Sequence, residues 1–162
     1  MHKENLSVFI SHKSDDKSIA HKIANHLKAC NVCCYLDALD QDLQTTEDIT
    51  SLLVSRVREN SHLMAVTSTR TVSSWWVPFE IGIATDRDKR IYTYALERTN
   101  LPEYLQKWPI LENDVHLEEF IKLFHFEERF SFDSNLRAGI RASALSPAEN
   151  FHKLLKIFTN NF

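Results

Sequence analysis

Glycine is almost missing from this chain. Of 162 residues, only Gly82 and Gly139 are glycine. A dinucleotide fingerprint of the form G-x-G-x-x-G, or a phosphate loop ending in G-K-S/T, needs glycines at fixed spacing, and neither can be written here. Ordinary dehydrogenase and NTPase readings are thereby set aside. Long apolar runs are lacking as well. No stretch approaches the roughly 18 apolar residues of a membrane span, and the opening MHKENLSVFISH is too short and too mixed for a secretory leader. We expect no membrane and a cytoplasmic address. A basic surplus is also absent: 19 Lys and Arg stand against 22 Asp and Glu, a formal net charge of −3, so there is no general reason to expect nucleic acid. Cysteine is scarce and crowded, at Cys30, Cys33 and Cys34, which is no disulfide framework. With His26 these spell H-x3-C-x2-CC, a spacing that raises the question of zinc. Against it, Val32, Cys34 and Leu36 alternate with Cys33 and Tyr35 as in a strand, and Cys30 ends an apolar helical stripe. We read the thiols as small buried hydrophobes and expect no metal.

The apolar share of 43 % against 25 % charged residues suits a soluble domain with one sizeable core. Strands are expected at LSVFI (6–10), VCCYL (32–36), LMAVT (63–67) and IYTYA (91–95), with a short fifth near Trp108 to Leu111. Between them the apolar spacing becomes helical. Ile19, Ile23 and Leu27 follow a cap at Ser14 or Asp15. Ile49, Leu52, Leu53 and Val57 follow a cap at Thr46 or Asp48. A helix over Trp75 to Ala84 carries Pro78 in its first turn, where a missing N–H costs little. Val115, Phe120, Leu123, Phe124 and Phe130 mark another helix. The last helix begins at Ser146, because S-P-A-E places serine at the cap, proline first and Glu149 third. Strands alternating with helices predict an α/β fold, a parallel sheet covered on both faces. Ligands of such sheets bind beyond the C-terminal strand ends. Ser11, His12, Asp37, Ser68 and the early turns of the Trp75 helix occupy those places.

One stretch stands out, SSWWVPFEIGIA at 73–84. A buried carboxylate is expensive unless it is paired or used, yet Glu80 lies in an otherwise apolar run. Trp76 is four residues earlier, on the same helix face. An indole beside a carboxylate at the strand ends suits a nucleoside: Trp76 stacks on a base or shields the sugar, and Glu80 stabilises positive charge at the anomeric carbon of an oxocarbenium-like state. The structural alternatives are that Glu80 caps a neighbouring helix, pairs with an arginine such as Arg56, or faces water. Ser11 and His12 resemble half a hydrolase site, but no G-x-S-x-G elbow accompanies them and adjacent residues cannot supply triad geometry by themselves. The other histidines show no ligand spacing. Asp37, Asp40 and Asp42 resemble a magnesium-binding receiver site, without the acidic residues such a site needs directly after the first strand.

Taken together, VFISHKSDD (8–16), YLDALD (35–40) and LMAVTSTRTVSSWWVPFEIGIA (63–84) resemble Toll/interleukin-1 receptor (TIR) domains, especially bacterial ones, over residues 6 to 95. The resemblance implies a three-layer, flavodoxin-like TIR fold with a mostly parallel sheet of about five strands. Residues 1–130 would form the core and 131–162 a C-terminal helical extension packed on it. Many bacterial and plant TIR domains cleave the nicotinamide–ribose bond of NAD+, which is substrate rather than cofactor. The resemblance makes Glu80 the catalytic residue and puts Phe9, Ser11, His12 and Trp76 around the nucleotide. The family's tryptophan–cysteine pair is Trp76–Val77 here, and the BB loop, DQDLQTTED (40–48), lacks its usual glycine and proline. A nearly bare TIR domain is similar to the stand-alone proteins of Thoeris-type anti-phage systems. That likeness implies self-association as a homo-oligomer and a phage-derived trigger. It also implies an ADP-ribose-derived messenger, such as cyclic ADP-ribose, that addresses a separate effector. A non-catalytic interaction module, a protein that interferes with host TIR signalling and a nucleoside base-exchange transferase are the alternatives.

Overall fold

The computed structural model describes residues 6–36, 48–97, 101–132 and 145–160. Five strands, β1 (Val8–His12), β2 (Cys34–Leu36), β3 (His62–Thr67), β4 (Arg90–Ala95) and β5 (Ile110–Leu111), form one sheet in the order β2-β1-β3-β4-β5. Every neighbouring pair is parallel. The helices are α1 (Lys17–Ala29), α2 (Ile49–Glu59), α3 (Trp76–Asp86), α4 (Asp114–Phe132) and α5 (Pro147–Asn160). This is the three-layer, flavodoxin-like strand order, in which the chain reverses its winding direction at β1 and β3.

The pleat assigns each strand residue to a face. Val8 and Ile10 of β1, Met64 and Val66 of β3, and Tyr92 of β4 pack with Ala20, Ile23, Ala24 and Leu27 of α1, Phe120 and Phe124 of α4, and Phe151 and Leu155 of α5. The intervening Phe9, Leu63, Ala65 and Ile91 pack on the other face with Val57 of α2 and Val77, Ile81 and Ala84 of α3. All the expected elements are therefore present, with ends shifted by a residue or two. The sheet covered on both faces follows from strands that are apolar on both sides, His62 to Thr67 being buried at every position.

Two expected helix starts are built as read. Asp48 accepts from the Ser51 N–H at 3.0 Å; Thr46, the other candidate, lies outside the described residues. Ser146 and Glu149 form a reciprocal capping box: the Glu149 N–H donates to Ser146 Oγ at 3.1 Å, and the Ser146 N–H to Glu149 Oε2 at 2.7 Å. The start of α1 differs. Ser14–Asp16 is a 3-10 turn, and Asp16 takes the cap position without a side-chain capping bond. Its carboxylate is engaged elsewhere, as described below.

Candidate functional site

The buried stripe of α3 consists of Val77, Glu80, Ile81 and Ala84, the i, i+3, i+4, i+7 spacing of a helix face set against a sheet. Glu80 thus occupies a core-facing slot and exposes none of its surface. A carboxylate facing water is excluded. Across from it, Ser11 lies two residues beyond Phe9, so the pleat turns its side chain to the same face of the sheet as α3. Ser11 is also fully buried, and its hydroxyl donates to Glu80 Oε2. Phe9 is 1 % exposed and packs among Val57, Leu63, Ala65, Val77 and Ile81, forming the apolar floor beneath the Ser11–Glu80 contact. His12, next along β1, belongs by the same alternation to the opposite face, and its Nδ1 lies 3.5 Å from the Ile10 carbonyl. The strand therefore separates the adjacent Ser11 and His12 side chains.

A second buried pair braces this corner. Asp16 and Thr71 are 3 % and 0 % exposed, and Thr71 Oγ1 donates to Asp16 Oδ2 at 3.0 Å. The same Thr71 hydroxyl accepts from the Ser68 N–H at 2.9 Å, and Ser68 Oγ accepts from the Arg70 N–H at 3.2 Å. Ser68 is therefore the cap of the 3-10 turn Thr69–Ser73 that follows β3. Through Asp16 and Thr71 the turn after β1 is tied to the turn after β3, at the C-terminal edge of the sheet. Neither residue was singled out by sequence. The only signal was an aspartate five residues after Ser11, which resembles any solvated loop residue until Thr71 is placed against it.

Trp76 opens α3 and is half-buried. Its ring stacks on that of Trp75, centroids 3.8 Å apart and planes 27° from parallel, and meets Phe79 edge-on at 6.2 Å. Trp75 is 64 % exposed, so the pair presents an open aromatic face where α3 begins. Ser11, Ser68, Trp76 and Glu80 thus lie on or beside the C-terminal ends of β1 and β3. Asp37, and most of the loop at 40–48, lie outside the described residues. The thiols depart from expectation: Cys34 is buried, but Cys30 is half-buried and Cys33 exposed. Only Cys34 sits on the inward side of the pleat, where burial raises its thiol above the ordinary range.

Residues 8–133 match the family model described as TIR domain. Among solved structures the chain is similar to a metazoan TIR-STING receptor from C. gigas, with 17 % identity and a TM-score of 0.52 over 82 % of this chain and 42 % of that one. It thus spans less than half the length of that receptor, and the likeness is one of fold. It is also similar to the TIR domains of the activated Roq1 resistosome that directly recognizes the pathogen effector XopQ. There the identity is 16 % and the TM-score 0.45, over 96 % of this chain and 84 % of that one. No curated protein matches the chain.

Proposed function

The chain belongs to the TIR-domain family, and on that premise we propose that it cleaves the nicotinamide–ribose bond of NAD+ with Glu80 as the catalytic carboxylate. The observation that carries this reading is the Ser11–Glu80 contact, a fully buried carboxylate held by a serine hydroxyl at the C-terminal end of a parallel sheet. In the reaction the C1′–N bond breaks, both of its electrons leave with nicotinamide, and the ribose acquires oxocarbenium character. A carboxylate fixed beside C1′ stabilises that charge more in the transition state than in the ground state. Ser11 orients Glu80, and Phe9 keeps the floor apolar, so the electrostatic interaction is not diluted by water. Trp76 gives the ring or sugar an aromatic wall, and the N-terminal end of α3 offers its positive dipole end to the diphosphate. Ser68 lines the same edge, and His12 borders it from the opposite face of the sheet; Asp37, which the strand pattern of the sequence assigns to the site, lies outside the described residues.

Since Glu80 exposes no surface, turnover requires a shift at the mouth of the site. A closed resting state fits an enzyme that waits for a trigger. In that reading the protein is a bacterial, cytoplasmic, self-associating TIR enzyme of a Thoeris-type anti-phage system. It answers infection with an ADP-ribose-derived messenger to a separate effector. Water, an intramolecular nitrogen or a second acceptor attacking C1′ would give ADP-ribose, a cyclic isomer or a conjugate. The second reading, a non-catalytic interaction module, is favoured by the same complete burial of Glu80.

The deciding experiment incubates purified protein with NAD+ over a wide protein concentration range, alone and in extract of phage-infected cells, and identifies products by mass spectrometry. Nicotinamide release that Glu80→Gln lowers by about a thousandfold, within the range of electrostatic stabilisers, supports the enzyme. No release under any condition, or release that Glu80→Gln leaves unchanged, rejects it.

A further inference from the structure

We propose that His26, Cys30 and Glu118 form a zinc-binding site that clamps the C-terminal end of α1 to α4. His26 and Cys30 are four residues apart, so their donor atoms share one face of α1. Glu118 reaches the same place from α4. His26 Nε2 lies 2.7 Å from Glu118 Oε1 and 4.0 Å from Cys30 Sγ, and the three donor atoms all lie within 4.8 Å of one another. In a tetrahedral zinc site with bonds of about 2.0–2.3 Å, donor atoms are about 3.3–3.8 Å apart. The observed separations straddle that range. Bringing them into that range takes shifts of about an ångström or less, and His26 and Glu118 are each about half exposed (45 % and 48 %).

The chemistry of the set selects the ion. A thiolate and an imidazole favour zinc over magnesium or calcium, which prefer all-oxygen cages. One thiolate, one carboxylate and one neutral imidazole supply two negative charges to a divalent cation. On binding, zinc takes the Nε2 position that now faces Glu118, and the protons of the thiol and of Nε2 leave to solvent or to Nδ1. Water completes the fourth position. The backbone at Cys30 is already held: its carbonyl accepts from His125 Nε2 of α4 at 2.8 Å, and its N–H bonds the His26 and Leu27 carbonyls at 3.1 Å. The thiol is thus presented by a pinned residue.

The place in the fold argues for a clamp rather than a catalytic metal. The chain enters α1 from the C-terminal end of β1 and leaves it to start β2, so Cys30 lies at the opposite end of the sheet from Ser11 and Glu80. The docking it would fasten is that of α1 and α4 on the larger core cluster, to which Leu27 of α1 and Phe120 and Phe124 of α4 all belong.

The test uses the full chain, reduced and freed of metal. Zn2+ is titrated by calorimetry. Co2+ is added separately, and its absorption spectrum reports the ligands. One equivalent of Co2+ should bind with a thiolate-to-cobalt charge-transfer band and tetrahedral visible bands. Zn2+ should raise the melting temperature, because it binds the folded state alone. Cys30→Ser and Glu118→Gln should each weaken Zn2+ binding tenfold or more and abolish the melting shift. Cys33→Ser, at an exposed thiol outside the cluster, should leave both unchanged. Melting in chelator verifies that each variant folds. A cobalt spectrum without the thiolate band overturns the site, as does zinc affinity that survives Cys30→Ser or depends on Cys33 instead.

Discussion

Glu80 was legible because it is out of place. Between Val77 and Ile81 a hydrophobic residue would fill the slot at no electrostatic cost, and the chain instead puts a carboxylate there with a serine hydroxyl upon it. The serine could be located from the strand pattern, but its inward turn follows only once the register of β1 is known. His12 shows the limit of adjacency in sequence, since one step along a strand crosses the sheet. Ser11→Ala takes a donor from a group with no exposed surface, so stability should fall by about 1–3 kcal/mol, read from urea denaturation. NAD+ turnover should fall too, through loss of orientation of Glu80, and unaltered turnover would remove Ser11 from the positioning role. Trp76 tests the other half of the site. Base–aromatic stacking is worth about 1–3 kcal/mol, so Trp76→Ala should raise KM by roughly 5- to 150-fold, whereas Trp76→Phe should keep most of the affinity.

Elements are positioned here by two kinds of polar bond, local and tertiary, and they differ in how far a sequence discloses them. The Ser146–Glu149 box is local, three residues apart, and S-P-A-E announces it. Ser146→Ala should cost about 1 kcal/mol of stability, measurable by chemical denaturation, with no effect on NAD+ chemistry far along the chain. The Asp16–Thr71 bond joins residues 55 apart. No pattern within one element points to it, and so the sequence alone puts the start of α1 at Ser14 or Asp15. Thr71→Val keeps the volume and removes the hydroxyl, leaving the buried Asp16 carboxylate short of a donor. We expect a loss of about 1–3 kcal/mol and faster amide exchange over residues 68–73. Thr71→Ser should restore both. Equal exchange in the valine variant would mean that the turns are held by their flanking strands and not by this bond.

Across the whole molecule, the sheet is closed on the α1–α4–α5 face by aromatic residues surrounding a polar group. The His62 ring is wholly buried and lies 4.9 Å from Phe151 and 5.1 Å from Phe124, centroid to centroid. Burial holds its pKa below the ordinary value, so it is neutral at pH 7. Beside it, burial works against the Glu127 carboxylate, but His62 and Arg90 together outweigh burial and keep the carboxyl below its usual value. Because His62 is neutral, we take the Arg90 guanidinium, which bonds Glu127 through Nε at 2.9 Å, as the main counter-charge. On this face His152 of α5 also completes the sheet. The β5 strand is only two residues long and pairs with β4 from Thr93 onward. The Ile91 N–H therefore has no strand acceptor on that side and donates to His152 Nε2 at 2.7 Å. An accepting Nε2 must carry no proton. Burial first, and then Lys156, lower the His152 pKa to about 4, against an opposing pull from Asp88. The unfolded chain, with an ordinary histidine near 6.5, binds more protons than the folded one between about pH 4 and 6.5. Stability is therefore full above about 6.5 and is lost as the pH falls through that window. Partial exposure of the ring reduces the effect to about 1–2 kcal/mol. His152→Gln retains an acceptor and does not titrate. It should flatten the fall in melting temperature between pH 6.5 and 4 while costing little at pH 7.5. His62 titrates in the same direction and would leave a residual slope. Parallel melting curves for variant and parent would show that the sheet edge does not sense acid through α5.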